Sequence, residues 1–172
     1  MREITHLIVH HTASTWGDAK QVDAWHTERG LPGIGYHCVI LNGWRTPTAL
    51  QPNAMGYCEM GVPMEKTGHH DKGQNVGSVG VALVGNHVFA WAQIAALHRY
   101  YQALVVRYGE IIVEGHGENE PEEGGTECPG ELLLPEMGLV REVFSYPNLD
   151  PAFPEVRTLA SALGYRTTYV NE

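Results

Sequence analysis

Four short apolar runs, at residues 4–10, 36–41, 78–84 and 111–113, alternate along the chain with two stretches of helical periodicity. Each run is too short for a buried helix, and the last three lie between nearby Gly or Asn residues, so each reads as a strand buried in a sheet. Between the first two, residues 18–29 place Val22, Trp25 and His26 on one stripe. Asp18 and Gln21 stand at capping-box spacing before it, and Gly30 stops it. Residues 91–108 repeat Ile94, Leu97, Tyr101, Leu104, Val105 and Tyr108 at helical spacing and end at Gly109. Strands alternating with helices specify an α/β fold, a central mixed β-sheet flanked by helices. At 172 residues the chain is expected to be a single domain, large enough to bury a real core.

The remaining segments carry weaker signals. Asn42-Gly43 after the second strand predicts a hairpin turn. Residues 45–75 show no period, and a loop of that length is expected to be functional or a lid. After Pro129-Gly130, helical segments restart at Pro135, because proline fits a first turn. One more helix is expected over residues 154–163, within an extension (146–172) that either packs across the sheet or caps a groove.

Composition excludes some partners. A formal net charge of −9 disfavours nucleic acid and anionic lipid, which call for surplus Lys and Arg. No apolar run approaches a membrane span, so no membrane insertion is expected. The N-terminus lacks the apolar stretch of a secretory signal, so the chain is expected to be made in the cytoplasm. Of three cysteines, Cys38 reads as a small core residue, Cys58 as a loop thiol without a role, and Cys128 as the one with chemical context.

That context is shared. His10 ends the first strand, His116 follows the run Ile111-Ile112-Val113-Glu114-Gly115, and Cys128 lies in Thr126-Glu127-Cys128-Pro129-Gly130. Two imidazoles and a thiolate suit Zn2+, and three protein ligands leave a fourth position open, as catalytic zinc sites do. His11 points to the opposite strand face and reads as structural. His37 reads as a buried, hydrogen-bonded residue. His69, His87 and His98 are expected on the surface, and Trp16 is a candidate to stack on substrate.

Five strings recur in order: Leu7-Ile8-Val9-His10-His11-Thr12-Ala13, His26-x-x-Arg29-Gly30, Gly33-Ile34-Gly35-Tyr36-His37, Asn75-x-x-Ser78-Val79-Gly80-Val81 and Thr126-x-Cys128-Pro129-Gly130. Together they resemble the zinc-dependent N-acetylmuramoyl-L-alanine amidases, a family that includes phage endolysins and peptidoglycan recognition proteins. The resemblance covers roughly residues 4–145.

The resemblance implies a zinc-containing groove with His10, His116 and Cys128 as metal ligands and Tyr36 in the catalytic set. His26 and His70 match positions that line the peptide groove. Thr126 stands where some phage members carry lysine, and is expected to serve the oxyanion or orient the water. The reaction implied is hydrolysis of the amide between N-acetylmuramic acid and L-alanine in bacterial peptidoglycan. No Glu or Asp stands in a motif that marks it as general base; Glu118, Glu120, Glu122 and Glu123 are candidates only by proximity to His116. The chain is expected to act as a monomeric phage-type endolysin, reaching the wall after membrane permeabilisation by another protein. The alternative is a non-catalytic peptidoglycan-binding module of the same fold; such recognition proteins typically lack the cysteine, so Cys128 argues against it.

Overall fold

A computed structural model describes residues 2–119, 125–150 and 152–164. Its centre is a five-stranded sheet of β1 (His6–His11), β2 (Cys38–Ile40), β5 (Cys58–Met60), β6 (Ser78–Leu83) and β7 (Ile112–Gly115), in the order β5-β2-β6-β1-β7. β2, β6, β1 and β7 run parallel to one another and β5 pairs antiparallel beside β2, so the sheet is mixed. Parallel strands are covered on both faces, which is why these runs are continuously apolar. All six residues of β6 and the middle four of β1 are buried.

Alternation along the strands sorts residues between the two faces. On one face Leu7, Val9, Val79, Val81 and Val113 pack beneath Ile94, Leu97 and Leu104 of α2 (Trp91–Tyr108), and Val140 and Phe144 of α4 (Met137–Phe144). Val156 and Leu159 of α5 (Pro154–Ala162) join that same cluster, so the described part of the C-terminal extension completes the core. On the other face a smaller cluster gathers Val22 of α1 (Ala19–Glu28) with Val39, Leu41 and Val84. His10, one residue out of phase with Val9, points to this second side.

Local chemistry sets the element ends. Asp18 caps α1 by accepting from Gln21 N–H at 2.9 Å, and Gly30 follows with φ +83°. Buried Gln93 accepts from Ala90 N–H and donates to the carbonyls of Ile40 and Val84, tying the start of α2 to the ends of β2 and β6.

Four expectations change. Asn42-Gly43 does turn, with Gly43 at φ +90°, but it does not fold β2 back on itself. It leads into β3 (Trp44–Thr46), which pairs with β4 (Ala49–Leu50) as a separate two-stranded unit, while β2 takes β5 as its antiparallel partner. Residues 45–75 are therefore not a structureless loop, since they contain β3, β4, a 3₁₀ turn (Pro52–Ala54) and β5. Cys58 correspondingly lies on a strand packed against the main core. His98 is buried, not at the surface, because its Nε2 meets the Tyr146 carbonyl at 2.9 Å and anchors the segment after α4.

Candidate metal centre

Three chain segments meet at the C-terminal edges of adjacent strands. His10 is the fifth residue of β1, and His116 opens a short helix, α3 (His116–Asn119), directly after β7. Cys128 arrives on a loop locked to that turn: Gly117 N–H donates to the Cys128 carbonyl at 2.6 Å. A Cβ at Gly117 would overlap the Thr126 carbonyl, so only glycine permits this approach. The Thr126 hydroxyl oxygen accepts from Cys128 N–H at 3.1 Å and braces the loop from within.

One ligand atom from each of His10, His116 and Cys128 lies within 4.8 Å of the others. Among the described residues no other His, Cys, Asp or Glu completes such a group. Cys128 Sγ stands 3.7 Å from His10 Nδ1. In a tetrahedral zinc site with ordinary Zn–S and Zn–N bonds, sulfur and nitrogen are about 3.6 Å apart. Donor type, number and spacing therefore fit zinc.

The surroundings prepare these donors. Burial, reinforced by the neighbouring His70 and His116 rings, drives the pKa of His10 well below the usual imidazole range, so His10 is neutral at pH 7, the form a metal ligand must take. His11, whose side chain lies on the other strand face, contributes its backbone: its N–H donates to Cys128 Sγ at 3.3 Å. Such a bond draws charge from a thiolate and limits how far sulfur weakens the metal's acidity. No sequence motif signals it, because any residue has the N–H.

Tyr36 stands beside the cluster, its ring centroid 5.0 Å from that of His10 and 5.2 Å from that of His26. Desolvation, then the nearby Cys128 sulfur, pushes its phenol pKa up, so the hydroxyl stays protonated and available as a donor. His26 Nδ1 accepts from Gly35 N–H at 3.1 Å, which leaves Nε2 as its N–H. The 33–37 turn is held against the 68–70 segment by close backbone approach: a Cβ at Gly35 would come within 2.5 Å of the His69 carbonyl, and His69 Nε2 meets the Gly33 carbonyl at 2.9 Å. His69 is thus half-buried in a structural contact.

His70, expected to line the peptide groove, is 9 % exposed and turns both ring nitrogens to protein groups: Nδ1 to His10 Nε2 at 3.2 Å and Nε2 to Ser78 Oγ at 3.4 Å. Asp71 follows it. Its Oδ2 accepts from Asn119 Nδ2 at 2.8 Å, and its buried Oδ1 lies 4.0 Å from His116 Nε2. Asn75 Oδ1 accepts from the backbone N–H of both His70 and Asp71 and fixes the pair. The sequence pattern around Asn75 and Ser78 was visible; that it serves residues 70 and 71 was not.

Other expectations resolve as follows. Glu118 accepts from Gly115 N–H and grips Arg141 with both oxygens, the closer pair at 2.9 Å, so it has no oxygen left to act as base. Glu120, Glu122 and Glu123 lie outside the described residues. Trp16 packs edge-on against Trp25 with ring centroids 5.1 Å apart. His37 is fully buried, with Nδ1 accepting from Gly80 N–H and Nε2 facing the Lys66 carbonyl.

Residues 1–131 match the N-acetylmuramoyl-L-alanine amidase family along their whole length. The chain belongs to this family. The endolysin of Escherichia phage T7 is 28 % identical over 132 residues, covering 70 % of this chain and 80 % of that protein. Among solved structures, the N-acetylmuramoyl-L-alanine amidase LysC from Clostridium intestinale superposes with a TM-score of 0.62 at 23 % identity, covering 96 % of this chain and 88 % of the other. Drosophila PGRP-LB gives 0.60 at 21 % identity over 86 % of this chain and 83 % of its own. These structural likenesses carry the fold; the amidase assignment comes from the family match.

Proposed function

We propose that this amidase is a phage-type endolysin, a monomer that cleaves the bond between N-acetylmuramic acid and L-alanine in bacterial peptidoglycan with one zinc ion. The observation that carries the reading is the convergence of His10, His116 and Cys128 donor atoms within 4.8 Å, in a chain of the amidase family. When bound, zinc supplies Lewis-acid polarisation of the scissile carbonyl and a water acidified to near neutrality.

The protein's own groups do the rest. Tyr36, held protonated, donates to the oxygen of the scissile carbonyl as charge develops there. Thr126 already accepts from Cys128 N–H through its oxygen, so its own proton is free to donate toward the same oxygen. His26, with Nδ1 occupied by Gly35 N–H, presents Nε2–H to the peptide portion of the substrate. His11 N–H moderates the charge on Cys128 and keeps the centre electrophilic.

Digestion of purified peptidoglycan followed by mass spectrometry tests the reading. Amidase action yields intact glycan strands and stem peptides with a free L-alanine amino terminus. Products with new reducing sugar ends would assign a glycosidase instead. Binding to the wall with no new termini would assign a recognition module.

A further inference from the structure

Outside the three donors, the structure holds a chain of hydrogen bonds that runs from a backbone carbonyl to the first metal-binding histidine. Ser78 Oγ donates its single proton to the Gln74 carbonyl at 2.5 Å. Toward His70 Nε2, 3.4 Å away, that oxygen acts as acceptor, so Nε2 carries the hydrogen of the neutral His70 ring. His70 Nδ1 is then a bare acceptor, and His10 Nε2 at 3.2 Å must donate to it. A neutral imidazole has one N–H, so His10 Nδ1 keeps its lone pair, and that nitrogen faces Cys128 Sγ at 3.7 Å.

We infer that His70 is a positioning residue for the metal centre, whose relay Gln74–Ser78–His70–His10 holds His10 in the single tautomer that presents Nδ1 as ligand. The inference rests on the zinc reading above and assigns His70 a role other than contact with substrate. Three further features fix the relay in place. Asn75 Oδ1 clamps the backbone N–H groups of residues 70 and 71. Gly80, in the middle of β6, leaves open the space that the His70 ring fills. Ser78, His70 and His10 are 1 %, 9 % and 1 % exposed, so bulk water is excluded from the proton positions. Outer partners of this kind set both the tautomer and the orientation of a ligating ring, and their loss typically costs about 10- to 100-fold in metal affinity.

The test has two arms. Nitrogen-15 NMR of selectively histidine-labelled, metal-free protein reads the tautomer of His10 directly, without reference to zinc or activity. The expected result is Nε2–H with an unprotonated Nδ1; a wild-type His10 carrying its proton on Nδ1 overturns the inference. In the second arm, chelator competition measures zinc affinity of folded His70→Leu, His70→Gln and Ser78→Ala. Leucine removes the acceptor and is expected to weaken zinc about 10- to 100-fold. Glutamine, whose amide both accepts and donates, is expected to recover part of the loss, and Ser78→Ala to show a smaller one. Unchanged affinity in His70→Leu and in Ser78→Ala overturns the inference. Wild-type protein that takes up no zinc overturns the metal reading itself, and the NMR arm still reports on the relay.

Discussion

The imidazole of His70 fills the space that a side chain on Gly80 would occupy: a Cβ built at position 80 would overlap the ring. Gly80 lies in the centre of the middle strand, where glycine normally weakens a sheet by leaving nothing to pack. Here the missing side chain is replaced by a histidine from another segment, and that histidine contacts His10, one of the three candidate metal ligands. The strand thus gives up local propensity to seat the centre.

Gly80→Ala should therefore act as overpacking against a ring that has no room to withdraw. The expected cost is about 1–3 kcal/mol of stability, which for a chain of this size lowers Tm by roughly 2–4 °C per kcal/mol. Zinc affinity should fall with it, because the ring that shifts is the partner of His10 Nε2. Thermal unfolding and chelator competition on the same sample check both; a Gly80→Ala protein with wild-type Tm would show that the ring moves freely.

How far the sequence carried the reading depends on what each element is made of. β1, β6 and α2 were legible because a parallel strand buried on both faces reads as an unbroken apolar run, and an 18-residue helix repeats its buried stripe several times. β5 was hidden. Cys58-Glu59-Met60 is short, with Met60 exposed, and its place depends on pairing with β2 across an intervening hairpin. The grouping of His10, His116 and Cys128 was legible from their flanking strings. The His10–His70 and His11–Cys128 contacts were not, since one links residues 60 apart and the other uses a backbone N–H. His98 looked like a surface residue because its partner is a carbonyl 48 positions away.

Tyr36→Phe removes the phenolic donor while leaving the ring that packs beside His10. Zinc content should be unchanged and kcat should drop on the order of 10²–10³, the usual cost of losing one oxyanion donor. Steady-state cleavage of a muropeptide substrate measures it; full turnover in the variant would remove Tyr36 from the chemistry.

Thr126 separates bracing from catalysis through two substitutions. Thr126→Val keeps the shape and leaves Cys128 N–H without its acceptor, so zinc affinity should weaken about tenfold. Thr126→Ser keeps the hydroxyl and should retain both affinity and most activity. Equal zinc affinity in the valine variant would show that the loop holds Cys128 unaided.

His37 gives the fold an acid sensitivity of known sign. Burial, the larger cause, and the Arg2 guanidinium bring its pKa down to about 4, against 6.5 for an unperturbed histidine. Its stabilising neutral state is fully present above pH 6.5. As pH falls from 6.5 toward 4 the unfolded chain takes up a proton that the folded chain refuses, so stability is lost, about 3 kcal/mol over the window. Denaturant midpoints of metal-free protein between pH 7 and pH 4 should show this slope, and His37→Gln, which keeps an acceptor and a donor, should flatten it by about one proton. An identical slope in the variant would assign the sensitivity elsewhere.

Zinc content and amide cleavage measured together on wild-type and Cys128→Ser protein test the central claim most directly. The account predicts one zinc per wild-type chain, new L-alanine amino termini that vanish with chelation and return with added zinc, and loss of both metal and cleavage in Cys128→Ser. Cleavage that persists in zinc-free protein, or a Cys128→Ser variant with full metal and full activity, would contradict it.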